Sequence, residues 1–161
     1  MRNQLTELLS VPGIYSVANF KLYPFGNGKI YRNGKDITFT CQHGESECQG
    51  NIIATCALDL YPQVQSVPFA ICLDTPSKSW RSIGERCAEA FDLDWDLIET
   101  CTNSEEGNQA QYYAALATKA AKVKSVPTLF VDGIEEGEFD FNIRDNLLEY
   151  ICKSYKGDIE I

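Results

Sequence analysis

The sequence contains no C-x-x-C, although seven of its 161 residues are cysteine. It has no N-x-S/T acceptor site and no low-complexity tract. No apolar run is long enough to cross a membrane, so no membrane span is expected. Basic residues are in deficit: 14 Lys and Arg stand against 23 Asp and Glu, a net charge of −9. That balance argues against a nucleic-acid partner, whose phosphates require a basic patch, and more weakly against an anionic membrane surface. It reads instead as a solvated acidic face. Met1-Arg2-Asn3-Gln4 is not followed by the apolar h-region of a signal peptide.

What is present fits one domain over residues 1–161, long enough to bury a core. The cysteines are spread over separate segments, which reads as a disulfide framework and implies an oxidising compartment. Their odd number leaves at least one without a partner in the chain.

Helix and strand signals alternate. Leu5, Leu8 and Leu9 give helical spacing over Gln4 to Leu9, stopped by Pro12-Gly13. Tyr15 to Tyr23 alternates apolar Ala18, Phe20 and Leu22 with polar residues and predicts a strand. Asn33-Gly34 predicts a tight turn between Ile30-Tyr31 and Ile37-Phe39. Helices are predicted from about Glu47 to Leu60, Val64 to Leu73, Ser79 to Phe91 and Trp95 to Cys101. Another starts at Ser104-Glu105-Glu106, with Tyr113, Leu116, Ala117 and Ala120 along one face. Thr128 to Val131 and the Asp132-Gly133 turn predict a hairpin, with Phe139 to Phe141 able to supply the return strand. Ile143, Leu147 and Ile151 mark a last helix ending at Gly157.

The densest chemistry lies in Cys41 to Cys56, which holds three cysteines and the single histidine, His43. With Cys48 and Cys56 on one helix, a rise of about 1.5 Å per residue separates them by roughly 12 Å. That is too far for a bridge between them. Cys41 can reach one of the two, and the other needs a distant partner. Cys72, Cys87 and Cys101 fall on or beside apolar helix faces, where each is either a small buried hydrophobe or half of an interhelical disulfide; the second reading is preferred. Cys152 completes the set of structural cysteines. Cys41, His43, Cys48 and Cys56 are zinc-type ligands, but their C-x-H-x4-C-x7-C spacing does not match paired C-x-x-C knuckles, so no metal site is read here. Cys41 and Cys48 are seven apart, unusual for a dithiol catalyst, with no helix N-terminus expected to activate both. His43 reads as a hydrogen-bonded loop residue.

The same stretch reads C-Q-H-G-x-x-E-C-x-x-N-x-x-x-x-C, through Cys41, Gln42, His43, Gly44, Glu47, Cys48, Asn51 and Cys56. It resembles the signature of the gamma-interferon-inducible lysosomal thiol reductase family at every fixed position. Lys21 to Asn27, Val126-Pro127, Val131-Asp132-Gly133 and Tyr150 to Gly157 are also similar to family segments, although an aromatic residue common after the proline is Thr128 here. The resemblance implies an α/β, thioredoxin-like fold with a helical insertion. It implies that Pro127 is the fold's cis-proline, with Val126, Pro127 and Thr128 beside the substrate backbone. It further implies reduction of protein disulfides without a cofactor, on disulfide-containing or unfolded protein substrates, in a lysosomal or secreted setting.

Family members act through C-x-x-C at the start of a helix that continues through a stretch similar to Asn3-Gln4-Leu5. The resemblance therefore implies that the first strand and both redox cysteines lie upstream of Met1, with no catalytic residue inside these 161. Tyr15 to Tyr23 and Thr128 to Val131 would otherwise flank a missing central strand and leave buried amides unpaired. The expected reading is a fragment, or a sequence started at the wrong methionine. The alternative is a redox-inactive, disulfide-stapled binding module that presents the proline groove to unfolded chains.

Overall fold

The computed structural model describes residues 2–74, 79–136, 143 and 145–158. The protein is mixed α/β. Its described elements run α1 (Arg2–Leu9), α2 (Ile14–Val17), β1 (Lys29–Asn33), β2 (Asp36–Thr40), α3 (Glu45–Leu60), α4 (Gln63–Leu73), α5 (Trp80–Ala90), α6 (Trp95–Thr102), α7 (Glu105–Ala120), β3 (Phe130–Val131), β4 (Ile134–Glu135) and α8 (Leu147–Ser154). Each strand pair forms its own two-stranded antiparallel sheet. The elements fall into two compact units: residues 21–126, and residues 1–20 with 127–161.

The 21–126 unit is built around α3, which packs against α4, α6 and α7. Five consecutive residues, Ile53, Ala54, Thr55, Cys56 and Ala57, are buried, so this helix is enclosed on every side rather than striped. Small side chains at Ala54 and Ala57 let neighbours approach. Phe69, Ile83, Cys87 and Ile98 complete the core from α4, α5 and α6. Three helix starts follow from their caps: Ser79 Oγ accepts from Ser82 N, Asp94 from Asp96 N and Leu97 N, and Ser104 from Gly107 N. The β1–β2 hairpin forms as expected, in register Ile30↔Phe39 and Arg32↔Ile37. Its two-residue loop is Gly34-Lys35, one place later than expected, with Gly34 at φ +63°. Asn33 and Asp36 are its closing pair.

On α7 the buried face is not the expected one. Tyr113 and Leu116 are exposed, whereas Gly107, Ala110, Gln111, Ala114, Ala115 and Thr118 are buried. Close packing on α3 selects small residues, and that preference outweighs the aromatic and leucine side chains.

The second unit buries Leu8, Ile14, Ile143 and Leu147, with Leu129, Val131 and Ile151 packed around them. α1 and α8 lie against each other. Tyr15 to Tyr23 is not a strand. Gly13 turns the chain into the short helix α2, capped by the extended Ala18, and no described strand pairs with residues 18–23. Alternation shows which side chains could face a core, but a strand exists only where a neighbour completes its ladder. β3–β4 is a hairpin over Asp132-Gly133, both residues with positive φ. Its described return strand is Ile134–Glu135; Phe139 to Phe141 lie outside the described residues. α8 ends at Ser154 with the extended Tyr155 as its cap, earlier than the expected stop at Gly157.

Candidate functional site

The signature residues fold into one connected loop at the start of α3. Gly44 is the N-cap, at φ +93° and ψ −170°, a conformation that only glycine adopts without strain. Nothing lies within 4 Å of a Cβ placed there, so the requirement is on the backbone and not on space. Glu47, in the first turn, reaches back: its Oε2 accepts from the backbone N–H of His43 at 2.5 Å and lies 3.0 Å from His43 Nδ1. This is a capping box shifted by one residue, and it supplies an acceptor to the amide just before the N-cap. His43 is therefore a hydrogen-bonded loop residue.

Gln42 Oε1 accepts from Asn27 Nδ2 at 3.2 Å, which ties the signature to the turn at Phe25-Gly26-Asn27. Asn51 Nδ2 points to Cys41 Sγ at 3.8 Å. Cys41 is bridged to Cys48, with Cα atoms 5.5 Å apart. Cys56 pairs with Cys101, joining α3 to α6, and Cys72 pairs with Cys87, joining α4 to α5. Cys41 thus takes Cys48, and Cys56 takes the distant partner. Cys152 is the exception among the structural cysteines: it is exposed and unbridged. It sits in the 1–20 and 127–161 unit, which contains no other cysteine.

A cleft of about 430 Å³ opens beside the signature, lined among others by Cys41, Cys48, Gln49, Trp80 and Arg81. Trp80 lies so close on α3 that a Cβ at Gly50 would meet its ring at 2.5 Å. Its Nε1 donates to Ser46 Oγ at 2.9 Å. Arg81 bonds both oxygens of Glu99, at 2.8 and 2.7 Å, and pairs with Glu85. Those two carboxylates raise its pKa further above the usual arginine value. No group of three or more His, Cys, Asp or Glu side chains suited to a metal exists among the described residues.

Two contributors escaped the sequence reading. Gln111, buried on α7, accepts from Thr55 Oγ1 at 2.9 Å and donates to the carbonyl of Pro24 at 2.9 Å. Asn108 donates to the carbonyl of Ile37, fixing β2 to α7. No sequence signal singled out either residue, because a lone amide on a helix looks the same buried or exposed.

Of the expected substrate contacts, Val126 is exposed and packs near Gly26. Pro127 is exposed and Thr128 half-buried at the entry to β3.

A helical unit held by three disulfides, joined to a second unit with a small hairpin and three described helices, defines a disulfide-stapled mixed α/β protein. The family model described as gamma interferon inducible lysosomal thiol reductase (GILT) matches residues 1–91. The gamma-interferon-inducible lysosomal thiol reductase of Carassius auratus is 31% identical over 147 residues, covering 88% of this chain and 57% of the relative. The gamma-interferon-responsive lysosomal thiol protein of Arabidopsis thaliana is 31% identical over 89% of this chain and 59% of the relative. GILT-like protein 1 of Drosophila melanogaster is 31% identical over 85% and 61%. The chain belongs to the GILT family. It spans about three-fifths of the length of these curated relatives. No described helix is long and apolar enough to cross a membrane.

Proposed function

We propose that the protein to which these 161 residues belong is a thiol–disulfide oxidoreductase that reduces protein disulfides in the lysosomal or secretory pathway. The observation that carries this reading is the intact signature, Cys41 to Cys56, folded so that its residues from Cys41 to Asn51 contact one another or the neighbouring turn while Cys56 is bridged to Cys101 on α6, in a chain of the GILT family. The three disulfides support an oxidising compartment.

We read residues 1–161 as one thioredoxin-like domain in which the 21–126 unit is the helical insertion. The two-piece make-up of the other unit supports this, since an insertion divides its host in sequence. On this reading Val126, Pro127 and Thr128 hold the substrate backbone, and the substrates are disulfide-containing or unfolded proteins. The attacking and resolving cysteines form a C-x-x-C outside these residues. The first attacks the substrate disulfide as a thiolate and the second resolves the mixed disulfide.

The test compares two proteins on a fluorescent protein-disulfide substrate: residues 1–161, and the product of the complete open reading frame. The expected result is turnover by the complete product and none at a comparable rate by residues 1–161. A complete product that binds reduced, unfolded chains yet turns over no disulfide overturns the reductase reading in favour of a binding module.

A further inference from the structure

The proposed reductase chemistry makes no use of the Cys41–Cys48 bridge, and this bridge differs from the other two. In each of the others one half-cystine has no exposure at all, Cys56 in one and Cys87 in the other. Cys56–Cys101 is also covered by α7, where a Cβ on Gly107 would meet Cys56 Sγ at 3.0 Å. Neither half of Cys41–Cys48 is fully buried, and both line the open cleft beside Trp80 and Arg81. A thiolate must reach a sulfur along the S–S axis, so access decides which bridge exchanges first. This bridge also closes the shortest loop, seven residues against 15 and 45. In the loop-entropy account its opening therefore costs the fold the least stability.

The surroundings also favour departure of a thiolate. Cys48 is the fourth residue of α3, a 16-residue helix that starts at Glu45, so it lies near the positive end of the helix dipole. Asn51, on the same helix, directs its amide at Cys41 Sγ. That contact is weak to a disulfide sulfur and strengthens as the sulfur gains charge. Of the nearby carboxylates, Glu47 is engaged by the backbone N–H and ring of His43, and Glu45 stands at the cleft wall.

We propose that Cys41–Cys48 is an exchangeable disulfide, a second redox centre that takes two electrons from a dithiol. One thiolate of the dithiol attacks Cys48 Sγ. The Cys41–Cys48 bond breaks, a mixed disulfide forms on Cys48, and Cys41 leaves as the thiolate that Asn51 holds. The second thiolate of the dithiol then attacks the sulfur of its own first thiol, and Cys48 leaves as a thiolate. The dithiol ends as a disulfide. Its two electrons end on Cys41 and Cys48 as two thiolates, and the two protons that the dithiol released on ionising pass through solvent to whichever thiolates take them up. Nothing in this sequence of steps requires the family's C-x-x-C, so the inference stands apart from the reductase reading.

The test is graded reduction of the chain by dithiothreitol, acid quench, alkylation and peptide mass mapping. Cys41 and Cys48 are expected to be alkylated at reductant concentrations at least tenfold below those that expose Cys56, Cys72, Cys87 and Cys101. Reduction of all six together, or of Cys41–Cys48 last, overturns the proposal. A second arm traps the adduct formed with limiting glutathione. Attachment to Cys48 is expected, and attachment to Cys41 overturns the assigned direction. In a third arm Asn51→Leu is expected to slow reduction of this bridge severalfold and leave the other two unchanged. A folded variant with an unchanged rate overturns the role of Asn51, while the first two arms need no variant.

Discussion

Thr55 and Gln111 hydrogen-bond across the α3–α7 interface at 2.9 Å, and both are buried. Thr55 Oγ1 also contacts the carbonyl of Asn51, and Gln111 Nε2 donates to the carbonyl of Pro24. One amide therefore joins the signature helix to the turn that carries Asn27. Replacing Gln111 by Leu keeps the volume but orphans the Pro24 carbonyl and one contact of Thr55. The expected loss is about 1–3 kcal/mol, the usual cost of leaving buried polar groups unmade. Urea denaturation of Gln111→Leu checks this. A loss below a few tenths would mean that water replaces the amide.

The three bridges should differ in what they contribute to stability. In the loop-entropy account, bridges spanning 45, 15 and seven residues contribute about 4, 3 and 2 kcal/mol. Alanine pairs at Cys56/Cys101, Cys72/Cys87 and Cys41/Cys48 should therefore lower the urea midpoint in that descending order. Cys56 and Cys87 also lose buried contacts, which widens the gap to Cys41/Cys48. A Cys41/Cys48 pair variant as unstable as the Cys56/Cys101 one would contradict the ranking.

The contrast between what was legible in the sequence and what was not has a physical basis. Local rules held where the determinants are local. Ser104 caps the helix expected to start there, and Asp132-Gly133 turns the second hairpin, while the first hairpin forms with its turn one place later than expected, at Gly34-Lys35. The cysteine argument held because it rested on reach alone, excluding Cys48–Cys56 and leaving Cys41–Cys48 among the options. Readings that depended on a distant neighbour failed. Tyr15 to Tyr23 has strand alternation but no ladder partner among the described residues. Tyr113 and Leu116 have the larger apolar area, yet the small residues of α7 are buried because α3 comes close. Within the candidate site, the signature could be found as a motif, whereas the anchoring role of Gln111 depends on a packing partner 56 residues away.

Gly44 offers a test of backbone demand inside the signature. Its φ of +93° and ψ of −170° suit glycine alone, and a Cβ would meet no atom within 4 Å. Gly44→Ala is thus expected to cost about 1–3 kcal/mol through strain rather than collision. The strain falls on the link between His43 and Glu47, so the amide of His43 should lose protection in hydrogen exchange. Gly34→Asn, in an open turn at φ +63°, should cost less, because Asn tolerates the left-handed region. Equal losses at the two positions would show that the strain at Gly44 is relieved by a backbone shift.

Two carboxylates predict pH effects of opposite sign. Glu106 is held below the usual glutamate range by its own backbone N–H and by the Ser104 hydroxyl. A depressed value stabilises the folded state above the ordinary glutamate pKa, and this contribution is lost as pH falls through the folded value. Asp59, near the end of α3, is raised by desolvation. Its contribution is complete below the ordinary aspartate pKa and is lost as pH rises through the folded value. Glu106→Gln should therefore be less stable than the parent at pH 7, and Asp59→Asn more stable. Asp59→Asn should converge on the parent below the ordinary aspartate pKa, and Glu106→Gln only as pH falls through the depressed value of Glu106. Each substitution removes one negative charge from a chain of net −9, so relief of general repulsion would move both in the same direction. Urea midpoints from pH 7 to pH 3 separate the two accounts. Opposite signs at pH 7 mark local hydrogen bonding and burial, and equal signs would assign the effect to net charge.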